Sequence, residues 1–140
     1  MEQGFINPLS IFKITITVQP DDIDALNHVN NVVYLRYVQD VAASHWNTIA
    51  PEGFKQQYAW VVLRHEIDYK NMAVLGDSII AETWVGSCEG PRSERHVELY
   101  HATTRKLLVK AKTSWCLLDS TTLRPKRIEQ EIIDLFSSPH

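Results

Sequence analysis

The chain has 140 residues, of which 14 are Lys or Arg and 17 are Asp or Glu, for a net charge of −3. That length makes one domain, residues 1–140, with a sizeable core and no room for a second. No Lys/Arg run of the kind that holds nucleic acid or an anionic membrane surface is present, and no apolar run approaches the ~20 residues that span a bilayer.

Residues 1 to 11 lack the basic start and apolar stretch of a secretory leader, so a cytoplasmic protein without a nucleic-acid or membrane partner is expected. Phe12, Ile14, Ile16 and Val18 then alternate with Lys13, Thr15, Thr17 and Gln19, the period of a half-buried strand that Pro20 stops.

Asp22 to Tyr34, reading DIDALNHVNNVVY, packs acids, a turn, a His and two Asn against the start of a long apolar segment. Asn30 and Asn31 precede Val32, Val33, Tyr34 and Leu35, and a short side-chain oxygen there can accept from an otherwise unpaired backbone N–H. A helix should therefore begin near residue 31. Its start carries free N–H groups and about half a positive charge, which can polarise a carbonyl or hold a developing oxyanion. Asp24 lies just upstream, within reach of the same atom. A carboxylate beside backbone donors suits hydrolysis of an activated acyl group such as a thioester, where water needs a base and the oxygen needs donors. The plainer reading of the same residues is that Asp22 and Asp24 shape the loop and complement the helix end, with His28 a packed loop residue.

Residues 31 to 49 are apolar almost all round, broken by one narrow polar stripe of Arg36, Asp40, Ser44 and Asn47, so other structure should wrap this helix. Asp40 is a possible second carboxylate, but its spacing from Arg36 suits an ordinary ion pair. Pro51 and Gly53 end the segment. From Trp60 the period becomes two. Val61, Leu63, His65, Ile67 and Tyr69 share one strand face and should meet the helix, opposite Val62, Arg64, Glu66 and Asp68. His65 is then a His on an apolar face, read as a core imidazole with a satisfied hydrogen bond or as a substrate contact.

Gly76-Asp77 turns the chain into a strand over Ser78 to Val85, and Gly86 to Ser93 reads as a polar loop. Two more strands follow, Glu94 to Thr104 and Leu107 to Leu118. The last has Leu107, Val109, Ala111, Thr113, Trp115 and Leu117 on one face, with Lys110 and Lys112 on the other. After the turn-rich Asp119 to Arg127, Ile128 to Phe136 could add a short helix before a loose Ser-Ser-Pro-His end. Cys88 and Cys116 form neither a C-x-x-C site nor a disulfide framework and read as free thiols. His96 and His101, five apart in one strand, fall on opposite faces, and no zinc spacing is present.

This order describes an α+β domain, an antiparallel sheet of about five strands wrapped round one long central helix. It leaves a sheet edge and part of the helix uncovered, so self-association would finish the core.

DIDALNHVNNVVYLRY resembles the opening signature of hotdog-fold acyl-CoA thioesterases of the 4-hydroxybenzoyl-CoA thioesterase-like family, in which D-x-D is followed by H-V-N-N and an aromatic. WVVLRHEIDYKNMAVLGD, IIAETWV and LLVKAKTSWCLLDSTTLRPKRI resemble the family's later strands, so the likeness covers roughly residues 12 to 128. It implies hydrolysis of an acyl-CoA thioester to a free acid and CoA, without metal or bound cofactor, and at least a dimer, as a homodimer or homotetramer. Asp24 falls on the family's catalytic carboxylate, as general base or nucleophile, the Asn31 N–H on its carbonyl donor, and Asp22 on the supporting acid. Tyr34 is the motif's aromatic and, with His65, a candidate substrate contact. Arg92 and Ser93, in the loop entering the fourth strand, fall where family members contact CoA, with Lys70 and Lys126 as further phosphate contacts.

The same stretch is similar to plant acyl-ACP thioesterases, where an Asn and a His follow the Asp at spacings of two and four. Here Leu26 stands in place of that Asn and His28 keeps its place, as a second-rank catalytic residue. Asn71-Met72 replaces the Arg-Pro of many relatives. An acyl-ACP thioesterase, a hotdog dehydratase and a non-catalytic acyl-thioester binding protein are the alternatives.

Overall fold

The computed structural model describes residues 10–138. The leader-free start read over residues 1 to 11 therefore lies largely outside the described residues, as do Pro139 and His140. Strand β1 (Phe12–Thr17) keeps the expected alternation, with Ile14 and Ile16 turned to the core and Lys13, Thr15 and Thr17 exposed. A 3₁₀ turn (Pro20–Asp22) and a loop lead into helix α1 (Asn31–Ile49), followed by a short helix α2 (Glu52–Gln57). Strands β2 (Tyr58–Tyr69), β3 (Ser78–Glu89), β4 (Arg92–His101) and β5 (Leu107–Asp119) complete an antiparallel sheet in the order β1-β3-β4-β5-β2, and helix α3 (Gln130–Ser137) closes the chain. This is the α+β arrangement of one long helix on a five-stranded sheet.

Helix α1 lies across β1, β3 and β4. Its N-terminal half seats Tyr34, Tyr37, Val38 and Val41 among Ile79, Ala81, Val97, Leu99 and Val109. Trp46 from its C-terminal half joins Tyr58, Leu117, Ile132 and Phe136 in a second cluster under α3. The helix is not wrapped all round. Val32, Arg36, Gln39, Asp40, Ala43 and Asn47 form a continuous exposed face, wider than the expected polar stripe and including apolar Val32 and Ala43.

Two expectations fail at strand irregularities. The helix-facing set Val61, Leu63, His65, Ile67, Tyr69 is interrupted by a bulge where the register with β5 shifts between Val62 and Arg64. One extra residue reverses the two-fold phase. The more buried positions are accordingly Tyr58, Trp60 and Val62 before the bulge and His65 and Ile67 after it, while Val61 and Leu63 are exposed. Likewise Gly86 to Ser93 is not a loop. Strand β3 continues to Glu89, the hairpin turns on Gly90 (φ 59°) and Pro91, and β4 starts at Arg92.

Gly86 marks a second bulge rather than a turn. A β-carbon there would sit 2.8 Å from His96 Nε2, because the His96 ring, stacked on Trp84 at 5.5 Å, occupies that space. Gly86→Ala should cost about 1–3 kcal/mol by overpacking, read as a lowered urea midpoint with unchanged m value. No loss would mean that His96 swings away freely.

Strand β4 ends at His101 rather than Thr104, because His101 Nδ1 accepts from the Thr103 and Thr104 amides and closes a turn. Helix α2 was not anticipated. Its six residues are too few to show periodicity, and Pro51, a stop for α1, becomes its N-cap.

Candidate active site

The segment between β1 and α1 is a small hairpin pinned at both ends. Ile23 bridges Val29, His28 bridges Val74, and the Val29 amide donates to Ala73 O at 3.0 Å. Asn27 takes a left-handed φ of 63° at the tip, a conformation Asn tolerates better than most side chains.

Asp22 anchors this hairpin to the helix. Only 3% exposed, its carboxylate accepts from Tyr37 Oη at 2.7 Å, Arg36 Nη2 at 2.6 Å and the Gln19 amide at 3.0 Å. Burial works to raise its pKa, but the Tyr37, Gln19 and Arg36 contacts together hold it below the usual carboxylate range. Burial and the Asp22 carboxylate push Tyr37 well above the ordinary phenol value. Asp40 is thus the lesser partner of Arg36, at 4.0 Å. Asp22 supports the loop through α1, and the bonds to its carboxylate come from Gln19, Arg36 and Tyr37 rather than from Asp24's segment.

Asp24 sits on the exposed side of the hairpin. Its Oδ1 accepts from the Leu26 amide at 2.9 Å and the His28 amide at 3.2 Å, which fixes the carboxylate's orientation. Oδ2 has no partner among the described residues. The plainer reading of Asp24 as a turn-former is correct for one oxygen, and the other stays open to water. His28 is half-buried, and its ring makes no hydrogen bond within the described residues.

At the helix entry Asn30 is the cap. Its side chain accepts from the Val32 amide at 3.0 Å and its carbonyl from the Val33 and Tyr34 amides. That leaves the Asn31 N–H as the first-turn donor without a partner among the described residues. A free N–H at the positive end of a 19-residue helix is a donor for an anionic oxygen.

The remaining sequence candidates lie elsewhere. Tyr34 is 1% exposed and accepts from the Ala73 amide at 2.9 Å, so it supports the hairpin's floor from within the core. His65 braces β2: Nδ1 meets Thr113 Oγ1 at 2.8 Å and Nε2 meets Gln39 Nε2 at 3.2 Å. Because the Gln39 amide nitrogen can only donate, Nε2 accepts and Nδ1 carries the proton. Burial pushes the His65 pKa down, which keeps the ring neutral. This is the core-imidazole reading.

Arg92 and Ser93 are strand residues, not loop residues, and adjacent strand positions face opposite sides. Ser93 is buried and Arg92 is exposed. Both lie at the far end of the sheet from Asp24, since β3 leaves the Asp24 end at Ser78 and reaches the Arg92 hairpin after some 11 steps, or roughly 35 Å of strand.

One concavity was not anticipated from the sequence. A cavity of about 390 Å³ opens between the C-terminal half of α1 and the inward faces of β2, β4 and β5, lined by Trp46, Tyr58, Trp60, Trp115, Phe136 and Arg95 among others. The signal was present in β4, where Ser93 and Arg95 share the phase of Val97 and Leu99 and are therefore core-facing. Among the described residues no three His, Cys, Asp or Glu side chains gather as a metal site, and no helix is long and apolar enough to cross a membrane.

A family model described as the acyl-ACP thioesterase N-terminal domain matches residues 10–136. Among curated proteins, a chloroplastic palmitoyl-acyl carrier protein thioesterase of Arabidopsis thaliana is 22% identical over 131 residues, covering 87% of this chain and 32% of that protein. A chloroplastic acyl-[acyl-carrier-protein] hydrolase of Cuphea viscosissima is 20% identical with the same coverage. The chain thus spans about a third of the length of these relatives. Among solved structures, a 1,4-dihydroxy-2-naphthoyl-CoA thioesterase from Synechocystis superposes with a TM-score of 0.79 at 16% identity, covering 91% of this chain and 96% of that one. A thioesterase complexed with coenzyme A and Zn from Thermus thermophilus gives 0.78 at 21%, covering 90% and 97%. These likenesses establish the hotdog fold.

Proposed function

We infer that this chain, which belongs to the acyl-ACP thioesterase family, hydrolyses an acyl thioester to a free carboxylic acid and a thiol. The observation that carries this reading is the pair at the head of α1: a carboxylate with one oxygen fixed and one open, and a helix-start N–H without a partner. Asp24 Oδ2 takes a proton from water, and the resulting hydroxide attacks the thioester carbonyl carbon. The carbonyl oxygen accepts from the Asn31 N–H as it becomes an oxyanion. Collapse of the tetrahedral intermediate expels the thiolate, which recovers the proton from Asp24. We assign the general-base role to Asp24, whose unpartnered oxygen can bind the water it deprotonates. His28 lies on the same hairpin and stays a second-rank member of the site.

Leu26, Val32, Tyr69, Met72 and Val74 are exposed on the hairpin and its surroundings. Tyr69 is tied there through its hydroxyl to Asn31 O at 3.4 Å. An apolar collar around a polar centre suits burial by a second copy and by the acyl group. A homodimer or homotetramer in the cytoplasm fits this reading, with Arg92 reaching a CoA phosphate near Asp24 only from another copy.

Acyl-CoA is the substrate we propose, and the CoA-bound structural neighbours support it. The family model and the plant relatives favour acyl carrier protein as a second reading. Thiol release from matched acyl-CoA and acyl-carrier-protein thioesters decides: a higher kcat/KM on CoA is expected. The reverse order moves the substrate to the carrier protein, and no release from either overturns the hydrolase reading.

A further inference from the structure

Arg95 is an unusual cation. It is 5% exposed, and no carboxylate among the described residues pairs with it. Its Nη1 donates to His45 Nδ1 at 2.9 Å and Thr83 Oγ1 at 3.0 Å, and its guanidinium lies 5.5 Å from the Phe136 ring centre. These are neutral partners. Burial pushes its pKa down to about 10, so it is still a cation at neutral pH. Buried charges are ordinarily paired, because removing a lone ion from water costs several kcal/mol (roughly) even after relaxation.

The surroundings of Arg95 repeat this one-sided pattern. The cavity it lines is mostly apolar, with Ala42, Trp46, Tyr58, Trp60, Trp115 and Phe136 in its wall. The indole N–H groups of Trp60 and Trp115 are both buried without a hydrogen-bond partner among the described residues. Buried indole N–H groups normally find an acceptor. Ser93 and Asn47 add polar groups to the lining, Lys55 adds a cation already paired with Glu52 at 3.6 Å, and no acid lines the wall. Arg95 is thus a charge without a counter-ion among the described residues, on the wall of a pocket whose volume of about 390 Å³ suits a small organic molecule. Its α1 residues, Ala42 to Asn47, lie 11 to 16 positions beyond Asn31, or about 17–24 Å along the helix, so the site is separate from the Asp24 carboxylate in the same chain.

We propose that this cavity binds an organic acid, its apolar body against the Trp and Phe side chains and its carboxylate on the Arg95 guanidinium. A carboxylate supplies the missing counter-charge, matches the guanidinium fork in geometry, and can carry the apolar body that the rest of the wall suits. The acid has two sources, a free carboxylic acid or the distal carboxylate of a substrate's acyl group.

Binding is measured without turnover, so the test is independent of the thioesterase reading. Intrinsic Trp fluorescence of the full chain is titrated with dodecanoate and with dodecanol, whose chain is the same length and uncharged. Dodecanoate should bind at least about tenfold more tightly, the order expected for one charge-assisted contact, and Arg95→Met or Arg95→Gln should remove that preference. Equal affinities in the unsubstituted protein, or no binding of the acid, overturn the proposal even if the variants fail to fold. Comparing dodecanedioyl-CoA with dodecanoyl-CoA then separates the sources. A higher kcat/KM for the carboxylate-ended thioester, lost in Arg95→Met, supports the substrate's own tail, and acid binding without that preference supports a free acid.

Discussion

Asp24→Asn is expected to lower kcat on an acyl thioester by on the order of a hundredfold or more while leaving the melting temperature unchanged. Asn is the informative substitution because Asp24 has two separable roles. Its Oδ1 holds the Leu26 and His28 amides, and an Asn oxygen can do the same. Only the proton-accepting carboxylate is removed. Asp24→Ala removes both and should lose at least as much activity, with some added loosening of the hairpin. If Asp24→Asn retains full turnover and only Asp24→Ala fails, Asp24 is a turn-former and the base lies elsewhere.

Asp22→Ala should produce the largest loss of stability, about 3 kcal/mol, since it leaves the buried Tyr37 hydroxyl and the Gln19 amide without their acceptor and frees Arg36. Arg36 is half-exposed and recovers water, so the loss comes mainly from Tyr37 and Gln19. A reduced urea midpoint at constant m value is the readout. The pH dependence follows from the sign of the shift. Asp22 is more acidic folded than unfolded, so its contribution is fully present above the unfolded carboxyl value, near 3.9, and is lost as pH falls through the lower folded value. The stability gap between the native protein and Asp22→Asn should stay level at neutral pH and narrow in acid. A gap that widens in acid would contradict the assigned ionisation.

The parts of the fold legible in the sequence were those where one periodic signal acted alone. Strand β1 and the start of α1 are of this kind, and Asn30 before an apolar run is also the observed cap. The errors came where local pattern and tertiary context diverged. A single bulged residue reversed the phase of β2, and nothing in Val62-Leu63-Arg64 announces it. Gly86 has the composition of a turn but is a gap for the His96 ring, a contact with a residue ten positions away.

The site divided in the same manner. The loop and cap geometry around Asp24 and Asn31, on which their proposed roles rest, was legible because those hydrogen bonds are local. For His65 the sequence left a core imidazole and a substrate contact open, and for Tyr34 a substrate contact was expected; the partners Thr113, Gln39 and Ala73 are set by sheet and helix packing that no local pattern announces. Arg95 was missed because an Arg in an alternating strand reads as a solvent-facing residue until its neighbours Val97 and Leu99 are seen to share its phase.

One turnover in oxygen-18 water, with both the released acid and the Asp24-containing peptide weighed, tests the central claim that Asp24 activates water for thioester hydrolysis. The label should enter the acid and be absent from Asp24. Label in the Asp24 carboxylate after that single turnover would contradict the general-base role.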